Sequence, residues 1–230
     1  MFLSTLNDAL KNTFNSEKKL LFTSMIEIIN NASEQAALKE FQFGVRRFEY
    51  VWENLIDYVF GENNKEIYFP HAKWHILHGD RVESSALEPD TVMKYGDKFF
   101  ILDAKYYKFG ITGIAAHLPA TSSIQKQITY GDYIAAKQFA GSKDIYNAFI
   151  MPYAAQSSVE TMKFVSVGTA DWVDYSPETE NYKYVLGILL DTKHLMQTYC
   201  RHNGREILNM SQLILDSLQT YRAGNDPAPQ

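Results

Sequence analysis

Three residues of this 230-residue chain have the types and the spacing for chemistry: Asp90, Asp103 and Lys105. Gly96-Asp97 separates two β-rich runs, Asp90–Tyr95 and Lys98–Tyr107, and reads as a hairpin turn. With a two-residue loop, Tyr95 faces Lys98, and counting outward puts Asp90 opposite Asp103. Their Cβ atoms then sit roughly 4.5 to 5.5 Å apart on one face of a sheet. Lys105 lies two residues beyond Asp103 and points to the same face, because strand side chains alternate. Like charges directly opposite one another destabilise a sheet, and here both flanks are apolar, with Val92 and Met93 on one strand and Phe99–Leu102 on the other. An acidic pair in such surroundings either shares a proton or holds a cation. Mg²⁺ is the natural occupant, with Mn²⁺ able to substitute, since a hard ion prefers carboxylate oxygens. With an ammonium beside it, the set suits metal-assisted phosphodiester hydrolysis, in which the lysine orients the nucleophile and offsets developing charge.

The elements that must position these residues follow from periodicity. Phe48, Val51, Trp52, Leu55, Ile56 and Val59 repeat at helical spacing and stop at Gly61. Glu66–Phe69 and Trp74–Leu77 read as short strands before the hairpin. A helix from Ser122 or Ser123 through Ala140 and an apolar strand, Ile145–Met151, follow it. Later strands are expected at Met162–Val167 and Tyr184–Leu190, and a helix at Glu206–Tyr221. In the N-terminal stretch, Ser16 precedes a periodic run through Leu20, Leu21, Met25, Ile28 and Ile29, which predicts a capped helix. The order helix, strand, strand, strand, helix, strand makes the strands joined through a helix parallel, giving a mixed sheet with helices on its faces. The fold class expected is therefore α/β in the broad sense, an α+β mixed sheet flanked by helices.

Composition narrows the function classes. Hydrophobic residues make up 46% and charged residues 21% of the chain, which excludes collagen-like, low-complexity and wholly disordered classes. No apolar run approaches the roughly 20 residues needed to span a bilayer, and the single cysteine, Cys200, suits a reducing, cytoplasmic setting. A net charge of -5 argues against binding nucleic acid through bulk charge. The charge is uneven, however, and residues 61–150 balance 10 Lys/Arg against 10 Asp/Glu. A local basic cleft stays compatible with that distribution.

Glu88-Pro89-Asp90, a hairpin, then Asp103-Ala104-Lys105, preceded by an acidic helix and followed by a helix and a strand, resembles the PD-(D/E)xK nuclease superfamily, most closely its restriction endonucleases. In finer detail, Phe48–Glu53, Ile101–Tyr107, Lys126-Gln127 and Leu186–Lys193 are similar to type II restriction enzymes of the LlaJI kind, over roughly residues 45 to 195. The resemblance implies a restriction-endonuclease-like αβββαβ core and Mg²⁺-dependent cleavage of double-stranded DNA, leaving 5′-phosphate and 3′-hydroxyl ends. It implies metal binding by Asp90 and Asp103 with the Ala104 carbonyl, and a water positioned by Lys105. It further implies a glutamate from the preceding helix. Glu49 and Glu53 are one turn apart on a shared face, and Glu53 is preferred. On the helix after the hairpin, Lys126, Gln127 and Tyr130 are the candidates for contacting phosphate. The alternative is a nuclease-fold subunit without catalysis, used for DNA binding or assembly, against which the complete acid-acid-lysine set speaks. A repair or phage nuclease is poorly separated from a restriction enzyme by sequence.

The chain holds a decoy with the same spacing, Pro177-Glu178 followed by Asp191-Thr192-Lys193. Its midpoint, Tyr184-Val185, is continuous β-forming sequence without a turn residue, so those acids cannot face each other. His71, His75 and His78 have helix-like metal spacing, yet Pro70 and the β-rich surroundings argue against one helix and against zinc. Arg46-Arg47 suits either a phosphate contact or a solvated helix start. The expected division is a helical segment over 1–45, the nuclease core over 46–195, a helical segment over 196–222 and a flexible tail over 223–230. Because the core lacks a dense basic patch, recognition is expected to come from the segments before residue 45 and after 195, from a homodimer partner or from an additional DNA-recognition domain.

Overall fold

A computed structural model of the chain describes residues 2–13, 19, 22, 23, 26, 47–137, 139–154, 163–172, 174 and 176–225. The chain divides into two units, 1–46 and 47–230. In the first, α1 spans Phe2–Asn12 and closes on the Asn12 side chain, whose Nδ2 donates to the Asp8 carbonyl at 2.9 Å. The apolar run expected after Ser16, Leu20, Leu21, Met25, Ile28 and Ile29, lies outside the described residues, as does Arg46.

The second unit is built on a five-stranded sheet. Helix α2, Phe48–Phe60, buries Trp52, Ile56, Val59 and Phe60, the stripe expected of it. A separate two-stranded ribbon follows, β1 (Lys73–His75) and β2 (Arg81–Glu83). The hairpin is β3 (Thr91–Tyr95) and β4 (Lys98–Ala104). A single helical turn, α3 (Phe109–Thr112), precedes α4 (Thr121–Ala136). Then come β5 (Ile145–Tyr153), β6 (Phe164–Asp171), β7 (Tyr184–Asp191), the short α5 (Thr192–Gln197) and α6 (Gly204–Asn225). The sheet order is β3-β4-β5-β7-β6. β4, β5 and β7 are mutually parallel, and the edge strands β3 and β6 are antiparallel to their neighbours. The strands joined through α4 are thus parallel, and the mixed sheet flanked by helices is as expected.

Alternation along the strands gives the sheet two apolar faces. Phe100, Leu102 and Ala104 of β4 pack with Ala148, Ile150, Leu186 and Ile188 against α2 and against Ile207, Met210, Ile214 and Leu218 of α6. Phe99 and Ile101 face the other way, with Val92, against Tyr130 and Ile134 of α4. Each such fully buried side chain contributes about 1.5–3 kcal/mol of transfer free energy. The hairpin is therefore clamped between α2 and α4, and α6 shares one core with α2. Close packing also fixes α4: a Cβ on Gly131 would sit 2.6 Å from the Tyr182 ring, so that helix lies closer to the turn before β7 than any larger residue allows.

Several boundaries differ from the expected ones for local reasons. Glu66–Phe69 is not a strand: Lys65–Tyr68 forms a 3-10 turn, started by Asn64 in the left-handed region, and only Tyr68 in it is buried. The strand expected to run to Tyr107 ends at Ala104, because the Tyr107 N–H turns back onto the Lys105 carbonyl at 2.8 Å. Only two strands of the main sheet precede α4. The other strand-forming sequence in that stretch is the β1–β2 ribbon, whose residues are all exposed, so that its apolar pair, Trp74 and Val82, is not buried against the sheet. α4 stops at Ala136, and α6 runs past the expected Tyr221 to Asn225. No helix among the described residues is long and apolar enough to cross a membrane.

Candidate active site

The site grows from the hairpin register. Tyr95 pairs with Lys98 and the ladder runs outward to Thr91 opposite Leu102, so Asp90 and Asp103 are the next facing positions. Gly96 makes this reversal possible, with φ of +59° in the left-handed region that a glycine occupies without strain. Asp90 sits just before β3, in a bend, and its Oδ2 accepts the Ala104 N–H at 2.8 Å. Asp103 is 3% exposed. Its Oδ2 is 2.5 Å from Lys105 Nζ, while its Oδ1 is buried without a hydrogen-bond partner among the described residues. Burial first, and then the negative charge of Asp103, push the Asp90 carboxyl up from 3.8 to about 7. The two acids and the lysine therefore share one small volume.

Several contacts lock these groups in place. Lys105 N–H donates to Ile150 O at 2.9 Å, so the backbone of the motif continues the parallel pairing with β5 past the end of β4. On the opposite wall, Trp52 Nε1 donates to that same carbonyl at 3.0 Å, anchoring α2 at the carboxyl end of β5. The next residue, Glu53, lines a cleft of about 240 Å³ together with Pro89 and Asp90. Burial raises the Glu53 carboxyl, Lys105 opposes the shift, and the Asp103 and Glu49 charges add to it. Glu49 is further out, bridged to Arg47 at 3.3 Å and 44% exposed at its side chain. Of the two helix glutamates, Glu53 is the one at the cleft.

Two braces hold the Pro89 turn from outside. Tyr130 OH donates to Glu88 O at 2.9 Å, and Lys65 Nζ donates to Asp90 O at 2.5 Å while pairing with Asp57 at 2.8 Å. The Tyr130 hydroxyl is pushed well above its ordinary range, by burial first and then by the charges of Asp103 and Asp90. Nothing in the sequence pattern singles out Lys65. It acts by reaching a main-chain oxygen 25 residues further along the chain, and such a contact leaves no spacing signal.

The two candidates on α4 part company. Lys126 is exposed, its ammonium lies over the Tyr130 ring at 5.6 Å, and its charge is felt at Glu53. Gln127 is fully buried and donates from Nε2 to Ile101 O at 2.6 Å, so its amide braces β4 from within the sheet face. The histidines at 71, 75 and 78 are all exposed, and His75 lies in a strand. The decoy acids are kept apart by β7, which runs unbroken from Tyr184 to Asp191. Asp191 is occupied as the cap of α5, its Oδ1 accepting the His194 N–H at 2.6 Å.

The donor set fits a hard divalent cation. Among the described residues no group of three His, Cys, Asp or Glu side chains converges to hold a metal by itself. The Asp90 and Asp103 pair, two carboxyls close enough to share a proton and with Asp103 Oδ1 buried without a donor among the described residues, matches an ion that completes its shell with waters. A site demanding four protein ligands, such as structural zinc, does not match.

The sequence model of the LlaJI restriction endonuclease family matches residues 1–180. The chain belongs to the LlaJI restriction endonuclease family. No curated protein matches the chain. The LlaJI family match takes in α2, the hairpin and α4, and with them Glu53, Asp90, Asp103, Lys105 and Lys126. It begins earlier than the roughly 45–195 region that carries the sequence resemblance, so the first unit belongs to the LlaJI pattern too, and it ends before β7. The chain is thus a restriction nuclease, an enzyme of the class that acts on DNA.

Proposed function

We propose that the chain is a Mg²⁺-dependent endonuclease that hydrolyses phosphodiester bonds of double-stranded DNA through a PD-(D/E)xK centre, with Asp90 and Asp103 as the metal-holding carboxylates and the Ala104 carbonyl beside them. The observation that carries the reading is the buried, unpartnered Asp103 Oδ1 beside an Asp90 whose proton is held up to about 7. A pair of that kind gains most from a cation. Mg²⁺ bound there supplies positive charge to the phosphate and acidity to the attacking water. Lys105, tied to Asp103 at its other oxygen, holds that water in line and offsets charge on the phosphate as it develops. Glu53, with its raised affinity for a proton, borders the cleft beside Asp90 and feels the charges of Lys105 and Asp103. Lys126, at the exposed start of α4, meets the phosphate backbone. Gln127 and Tyr130 position β4 and the Glu88-Pro89 turn without touching DNA.

Digestion of a long DNA with Mg²⁺, followed by sequencing of the ends, tests the reading. Discrete ends carrying 5′-phosphate and 3′-hydroxyl groups are expected, and EDTA is expected to stop their formation. Cleavage that persists in EDTA, or in an Asp103→Ala protein, overturns it.

A further inference from the structure

A site-specific nuclease must read base edges as well as hold phosphates. With a net charge of -5, this chain has to do so on a local surface. The β1–β2 ribbon is such a surface. Its strands pair Lys73 with Glu83, Trp74 with Val82 and His75 with Arg81, and every residue from His71 to Glu83 is exposed. A turn with the Gly79 N–H on Ile76 O at 3.2 Å closes its tip.

The root of the ribbon is the wall of the cleft. Ser84 N–H donates to Ala72 O at 2.8 Å and Leu87 N–H to Pro70 O at 2.9 Å. Glu88, Pro89 and Asp90 come next in the chain, and Phe69 and Pro89 both line the cleft beside Asp90. The ribbon therefore springs from the wall of the cleft beside Asp90.

Alternation sorts its side chains. Trp74 and Val82 share one face, and Lys73, His75, Arg81 and Glu83 share the other. Lys73 and Glu83 pair at 2.5 Å, whereas the Arg81 guanidinium, though its charge is felt at Glu83, makes no hydrogen bond or ion pair with any described residue. Trp74 is 68% and Leu77 87% exposed, so neither serves the core of this unit. Asp80 and Glu83 balance Lys73 and Arg81 in charge. The ribbon is thus unsuited to gripping phosphates in bulk, and an arginine whose guanidinium donors are unspent, beside a histidine, suits hydrogen bonding to bases.

We propose that the β1–β2 ribbon enters a groove of the duplex held at the catalytic cleft and reads sequence there, Arg81 and His75 addressing base edges while Trp74 and Leu77 pack against the groove's apolar surface. A two-stranded ribbon fits the major groove, and arginine there makes a two-pronged contact to guanine. Lysine does not reproduce that geometry. The inference rests on the DNA-cleaving reading above, yet it is separable from the chemistry because it concerns binding.

The test uses the full chain. A duplex is selected from a randomised pool in metal-free buffer, and its affinity is compared with that of a shuffled duplex by fluorescence anisotropy at fixed salt. Arg81→Ala is expected to lower the preference for the selected duplex roughly tenfold or more, and Arg81→Lys to restore little of it. Trp74→Ala should weaken binding of the selected duplex, and all three variants should melt like the parent protein. The proposal is overturned if no duplex is enriched, or if the Arg81 and Trp74 variants keep the parent's preference. It is also overturned if those variants change only the sedimentation of the DNA-free protein, which would make the ribbon a contact between copies. Failure of the catalytic reading appears elsewhere, as an Asp103→Ala protein that still cuts DNA, and leaves this measurement intact.

Discussion

The chain contains the same spacing twice, Asp90 with Asp103-Ala104-Lys105 and Glu178 with Asp191-Thr192-Lys193, and folds the two in opposite ways. The first pair brackets a left-handed glycine and a two-residue turn, so its acids come to facing positions with the lysine beside them. In the second, β7 runs straight on from Tyr184 to Asp191, and at about 3.3 Å per residue its ends stand roughly 23 Å apart. Glu178 is exposed at one end and Asp191 caps a helix at the other, with Lys193 in solvent. Of the two acid-acid-lysine sets, only the one with a chain reversal at its midpoint brings its groups together.

The sharpest way to break the contrast is to remove each aspartate in turn. Asp103→Ala or Lys105→Ala is expected to lower Mg²⁺-dependent cleavage by roughly 10³-fold, measured as initial rates on a linear duplex. Asp191→Ala should leave those rates within about twofold while costing about 1 kcal/mol of stability, read from denaturant unfolding, because it removes a helix cap. Equal loss of cleavage in both would erase the distinction.

The next effect concerns charge. In the metal-free protein Asp90 holds its proton up to about 7, against an ordinary 3.8. The folded state therefore binds that proton more tightly than the unfolded chain. The resulting stabilisation is complete below about pH 4 and is lost as pH rises through about 7. Asp90→Asn keeps an oxygen for the Ala104 N–H but carries no charge. It should therefore abolish cleavage yet melt higher than the parent in EDTA, by a margin that grows from pH 5 to pH 8. By the same sign, Mg²⁺ competes with a proton, so calorimetric Mg²⁺ affinity should rise with pH across that window. The decoy pair shows no comparable burial of two facing acids, and Glu178→Gln should shift melting at neither pH.

A smaller effect separates the two helix glutamates. Glu53→Gln is expected to slow cleavage by roughly 10- to 100-fold, as loss of a group supporting a metal site does. Glu49→Gln, bridged to Arg47 at the surface, should cost about twofold or less. Parity between them would mean that the cleft extends along α2 to Glu49 as well as Glu53.

Much of the site was legible because a hairpin's register is a local property. Gly96-Asp97 between two β-rich runs sets Tyr95 against Lys98, and every facing pair out to the acids follows without reference to the rest of the molecule. The α2 stripe was legible for a similar reason, since Trp52, Ile56 and Val59 repeat at the helical period. The choice between Glu49 and Glu53 was only half legible. Both lie on one face, and the indole of Trp52 bonded to Ile150 O is what brings Glu53 to the cleft. Gln127 illustrates the converse. A polar residue next to Lys126 on a helix reads as a phosphate contact, yet packing against β4 turns it inward to Ile101. The ribbon was misread because Trp74–Leu77 has strand-forming residues but no buried partner, and propensity does not say which sheet a strand joins.

By itself the sequence determined the turn, the alternation and the apolar stripes, and through them the facing of Asp90 and Asp103 with Lys105 alongside. Those are interactions among near neighbours in the chain, whose geometry the backbone period dictates. Only the tertiary structure decided that Asp103 Oδ1 is buried without a partner, that Lys65 and Tyr130 pin the Pro89 turn, that Glu53 rather than Glu49 borders the cleft, and that α6 closes the far side of the core. Each depends on segments far apart in sequence meeting at contact distance, which burial of apolar surface enforces and no local pattern encodes.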